Sequence, residues 1–156
     1  MNDTKAKQVI TALAANVIPS TPSPAVVSFD YISTHKNTLN WSDSPGFVVL
    51  QEQYAFGGQN MQRHKRKAMR IWALRSLSKQ SDDTIIDAAY SQCEAALDGL
   101  LDQMWLAYQD DSATYHADLQ WARLGEVSAV KIGPIFNLMY GYEMTVPYLE
   151  MYRLPN

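Results

Sequence analysis

A chain of 156 residues, 47% hydrophobic and 19% charged, fits one domain with a core of its own and excludes a disordered polymer. Its formal net charge of −3 argues against a surface given over as a whole to nucleic acid and leaves room for a local basic patch. The single cysteine, Cys93, excludes an internal disulfide and any Cys-based metal cluster.

In chain order, Lys5 and Lys7 followed by VITALAANVI and PSTPSPA imitate a secretory signal. Val9, Ile10, Leu13, Val17 and Ile18 nevertheless form a helical stripe, which predicts a first amphipathic helix over about residues 3–18, ended by Pro19. Residues 25–32, AVVSFDYI, are rich in β-branched and aromatic side chains and read as a first strand. A polar stretch follows as loop, with Trp41 folding back onto the body. Residues 47–56 read as a second strand, with Val48, Leu50, Tyr54 and Phe56 on one side and Gln51 and Gln53 on the other. In residues 68–77, Met69, Ile71 and Ala73 alternate with Arg70, Trp72 and Leu74, which predicts a third strand paired with the second.

Between those two strands lies the basic run Arg63, His64, Lys65, Arg66 and Lys67, continued by Arg70, too charged for a core. It is expected as a hairpin tip projecting over about residues 57–67. Residues 81–109 carry the strongest helical signal. Ser81, Asp82 and Asp83 suit its first turn, and Ile86, Ala89, Tyr90, Cys93, Leu97, Leu100, Leu101, Met104 and Tyr108 form one apolar stripe. Its other face carries Asp87, Glu94, Asp98 and Asp102, with no Lys or Arg in the segment to answer them. Further on, ADLQWARL and EVSAVKI read as short strands, Gly133-Pro134 as punctuation, and residues 135–146 as a strictly alternating strand that Pro147 stops or marks as an edge. The whole predicts one α+β domain over 1–156: a mainly antiparallel sheet, the long helix packed across one face, and a shorter N-terminal helix.

The chemistry-bearing residues are sparse. His35, His64 and His116 lie in three separate polar segments without a carboxylate or second histidine at ligand spacing, so no metal site is expected. Asp98 and Asp102 are one turn apart, the spacing of any solvated helix face. No phosphate loop or nucleophile elbow is present, no cofactor is implied, and an enzyme is not the expected class. Three readings of the basic run compete: a solvated tip, a phosphate-contacting patch, and an intersubunit contact in which it reaches the acidic stripe of a neighbouring copy. Two different patches of opposite sign suit a head-to-tail ring.

The order of elements, an N-terminal helix, a strand introduced by Pro24, a long hairpin, a central helix and the closing run NLMYGYEMTV, resembles the tail terminator and tail completion (neck) proteins of tailed bacteriophages. The resemblance implies a structural virion protein without catalytic residues, commonly a hexameric ring at the head–tail neck or tail end. Its partners would be copies of itself, other neck or tail proteins, and DNA passing through the channel without sequence-specific contact; no membrane is involved. The alternative is a small cytoplasmic nucleic-acid-binding module using the same basic hairpin.

Overall fold

The computed structural model describes residues 3–17, 24–51, 53–57, 62–78, 81–136 and 138–153, with the backbone alone at 3, 53, 55–57, 62–65 and 149–153. The chain begins with helix α1 (Asp3–Ala14), which buries Ala6, Val9, Ile10, Leu13 and Ala14 along one stripe. Strand β1 (Val26–Ser28) follows and is cut short by a helix, α2 (Phe29–His35), rather than running on to Ile32. The cause is local: Ser28 caps the helix by accepting from the Tyr31 N–H at 3.2 Å, and Asp30 adds negative charge to its first turn.

The segment read as one strand over 47–56 is two, β2 (Gly46–Val49) and β3 (Gln53–Gly57). Both lie on the same side of the long β4 (Gln62–Ser76), in antiparallel register. Val49 faces Ile71 and Gln53 faces Ala68, so the register along β4 slips by one residue between β2 and β3, as at a bulge. That slip reverses the pleat. Val48 is paired with Trp72 while Tyr54 is paired with Lys67, so Tyr54 stands on the opposite face from Val48 and Leu50, not beside them.

Helix α3 (Asp83–Gln109) starts where its caps lie, with Asp82 accepting from the Ile85 N–H at 3.0 Å. The segment ADLQWARL, expected as strand, is instead the short helix α4 (His116–Leu119) with a β-bridge at Ala122, followed by a 3₁₀ turn at Leu124–Glu126. Strand β5 (Ser128–Ile135) pairs antiparallel with β6 (Met139–Arg153). The alternation over 135–146 hides a turn: Phe136 and Leu138 take φ of 50° and 58°, the left-handed region, and the strand begins only at Met139. It also runs through Pro147. The Pro147 carbonyl accepts from the Arg123 N–H at 2.9 Å, on the side that β5 has left, and its missing amide proton would point the same way. Pro147 marks an edge without ending the strand.

The sheet order is β1-β2-β4-β6-β5, with β3 also on β4; among the described residues β1–β2 is the one parallel pair. Its two faces carry separate cores. On one, α1 and α3 pack over Phe47, Val49, Met69, Ile71, Ala73, Met144 and Val146. On the other, Ile32 of α2, Leu39 and Trp41 cover Val27, Val48, Leu50, Leu74 and Met139. Trp41 does fold back, 1% exposed, its indole N–H donating to the Pro24 carbonyl at 2.9 Å. The fold class is the expected α+β, with the long helix across one sheet face. Among the described residues no helix is long and apolar enough to cross a membrane.

Candidate assembly surface

The basic run is strand, not tip. Residues 62–67 are the first part of β4, flanked by β3 on one side and β6 on the other, and the connection itself, residues 58–61, lies outside the described residues. Strand geometry then divides the run between two faces. Lys67 has the parity of Met69, on the α3 side, whereas Arg66 has the parity of Arg70 and Trp72 on the other. The side chains of Arg63, His64 and Lys65 lie outside the described residues; Arg66 is exposed and Lys67 half-buried. Among the described side chains the buried residues of β4 and β6 run as far as Met69 and Tyr148, and the paired backbones continue to Gln62 and Arg153. This continuation, with β3 beside it, is an arm of three strands.

Arg70 has a partner within the subunit. Its guanidinium meets Glu143 of β6 at 3.4 Å, and the same carboxylate oxygen accepts from the Trp72 indole N–H at 3.0 Å. Both partners are largely buried, and Arg70 Nε is buried with no hydrogen-bond partner. The signal for Glu143, a lone carboxylate in an aromatic alternation, was in the sequence, but its partner depended on the β4–β6 register.

The acidic stripe is where the periodicity puts it. Asp87, Glu94, Asp98 and Asp102 are all exposed on the side of α3 turned away from the sheet, opposite buried Ala89, Cys93, Ala96, Leu97, Leu100, Met104 and Ala107. Among the described residues no ion pair joins any of the four to a cation. Basic strand and acidic helix are not brought together within one subunit there. A scan against protein-family models and a search of curated proteins found no match to the chain.

The remaining candidates have local explanations. His35 Nδ1 lies 3.0 Å from the Tyr31 carbonyl with its ring stacked on Tyr31, and His116 Nδ1 lies 3.1 Å from the Ala107 carbonyl. Among the described residues no three His, Cys, Asp or Glu side chains gather as metal ligands would. Cys93 is fully buried beneath α3, and burial pushes its thiol up to about 12. One cation was missed by the sequence reading. At the root of the arm, Arg123 shares a cleft of ≈ 340 Å³ with Arg66, Lys67, Glu126, Pro147 and Tyr148, and its guanidinium meets Glu126 at 3.2 Å. Arg123 stood alone in a segment expected as strand, so nothing in the linear pattern linked it to the basic run.

Proposed function

We propose that the chain is a structural subunit of a tailed phage, of the tail terminator or tail completion kind. In this reading it assembles in the host cytoplasm and resides in the virion as a ring at the head–tail neck or tail end, through which DNA passes. The observation that supports the reading is the separation of two oppositely charged stretches on one subunit: the β4 backbone segment whose sequence holds Arg63, Lys65, Arg66 and Lys67, with Arg66 exposed, and an exposed acidic stripe on α3. A heterologous contact joins two different patches and closes into a ring if the rotation permits. Native mass measurement of the purified chain tests it, with a ring-sized species expected at low salt. A chain that stays monomeric at every concentration overturns it. Replacing Arg63, Lys65 and Arg66 by Ala should also impair DNA retention in particles while the subunit still folds.

The second reading, a nucleic-acid-binding module, is favoured by the cleft at Arg66, Lys67 and Arg123. Phosphate contacts release counterions, so it requires binding of the monomer to DNA or RNA that weakens steeply as salt is raised.

A further inference from the structure

Strand β5 forms one edge of the sheet, and among the described residues no backbone group pairs with its outer side. The groups turned outward follow from the ladder. The Arg70 carbonyl accepts from the Leu50 N–H at 3.0 Å, away from β6, and Arg70 is paired with Thr145; two residues beyond Thr145, Pro147 turns its carbonyl to Arg123, away from β4. Bonding alternates along an antiparallel pair, so Thr145 and Glu143 bond to Ser128 and Val130 of β5. Ala129 and Lys131, the partners of Met144 and Tyr142, are left with N–H and C=O pointing away from the sheet. Edges are commonly blunted by proline or a projecting lysine. Residues 128–132 hold no proline, and Lys131 is drawn back over the sheet, its ammonium 4.7 Å from the centre of the Tyr90 ring. Ala129 and Val130 are exposed, Val130 at 56%.

We infer that β5 pairs antiparallel with β5 of a second copy of the chain, Val130 opposite Val130 on the twofold axis. The edge is self-complementary in that register. Ala129 of each copy faces Lys131 of the other, so the outward N–H and C=O of both residues are all bonded, and alanine leaves room for the lysine stem. Centring on Lys131 would set two like charges face to face and call on Gly133, whose φ of 117° is out of extended geometry. Centring on Ala129 would leave Lys131 to Val127, beyond the first residue of the strand. Val130 shares the face of its partner Glu143, the side away from α3, so the two exposed valines cover one another at the axis. The contact is isologous, closes at two chains and uses neither charged surface of the ring reading. So short a ladder belongs to the small, transient class of interface.

The test uses the full-length chain at high protein concentration. In about 1 M salt, where a screening length of about 3 Å suppresses contacts between charged surfaces, sedimentation equilibrium should show a dimer. Ala129→Pro removes an outward N–H and no bond to β6, and Val130→Lys sets two ammonium groups opposite each other. Each should weaken the dimer at least tenfold with an unchanged thermal melt. Val130→Cys should cross-link two chains under mild oxidation, since non-hydrogen-bonded partners stand about 4.5 Å apart at Cα, within disulfide range. Ser128→Cys should not, its two copies standing about 13 Å apart at 3.3 Å per residue, and the native Cys93 is buried out of reach. Dimers that survive both substitutions, or cross-linking that is equal at both positions, overturn the inference. A chain monomeric in about 1 M salt overturns it too and leaves the edge to a strand of another protein, while the ring reading keeps its own test at low salt. Asp98→Lys with Asp102→Lys should leave the dimer intact; its loss there would make the dimer a fragment of the ring and overturn the β5 contact.

Discussion

At Cys93 the physical consequence of burial can be read directly. The thiol lies under α3 with its Sγ–H donating to the Tyr140 carbonyl at 3.6 Å, and desolvation pushes it from an ordinary 9.0 to about 12. The folded state holds that proton more tightly than the unfolded chain, so the stabilisation is complete below pH 9 and is lost progressively from about 9 to 12. Tyr90, raised by burial and by Tyr140, Tyr142 and Cys93, acts in the same direction. Cys93 should therefore resist a thiol-specific reagent at pH 8 until the protein is unfolded, and in Cys93→Ala the melting temperature should fall less steeply above pH 9. Two glycines carry a different constraint. A Cβ on Gly46 would lie 2.1 Å from the Trp41 ring, and one on Gly141 would lie 1.7 Å from the Ala73 carbonyl oxygen. Overpacking of this kind typically costs about 1–3 kcal/mol and occasionally more. Gly141→Ala should be the worse of the two in a urea titration, because a neighbouring strand's backbone yields less than a side chain. The burial of Trp41 was legible from an isolated aromatic in a polar stretch; the need for glycine at 46 and 141 was not, since it arises only from what packs against them.

At the level of elements, the sequence was readable where one period runs uninterrupted and opaque where a single residue changes the geometry. The α3 stripe from Ala89 to Met104 and the two faces of residues 69–74 follow from periodicity alone. The register slip between β2 and β3 does not, and it sends Tyr54 to the other face; nor does the turn at Phe136 and Leu138, masked by aromatic residues that keep alternating through it. The basic run is illegible for a related reason: charge density ordinarily marks a loop, yet a strand accommodates it by sending neighbours such as Arg66 and Lys67 to opposite faces. Arg70 shows the remaining route, pairing across the sheet. Glu143→Ala would leave the Arg70 guanidinium and the Trp72 indole N–H without their shared acceptor. Buried donors left unpaired cost about 1–3 kcal/mol each, so the urea midpoint should fall clearly, and replacing Arg70 as well should add less than the sum of the two single losses.

At the scale of the molecule, the charge layout separates folding from association. Asp98 and Asp102 are exposed and, among the described residues, make no ion pair, so Asp98→Lys with Asp102→Lys should move stability by no more than about 0.5 kcal/mol per site. The same double variant should abolish the ring-sized species in native mass spectra. Raising salt from 0.1 to 1 M shortens the screening length from about 10 to about 3 Å, so wild-type assembly should weaken over that range.

The fifteen-residue β4 is paired with β6 along its whole length, from Ser76 opposite Met139 to Gln62 opposite Arg153. A pull on the end of the arm along the strand direction strains that ladder in shear, all its bonds sharing the tension, instead of peeling them one by one. The tension passes into the portion of sheet clamped between α1 and α3 on one side and the Trp41 loop on the other. The register slip between β2 and β3 lies on the other flank of β4 and leaves the line of force uncut. A subunit gripped at the end of β4 would hold its neighbours as a tensioned strap does, through the full length of the β4–β6 ladder.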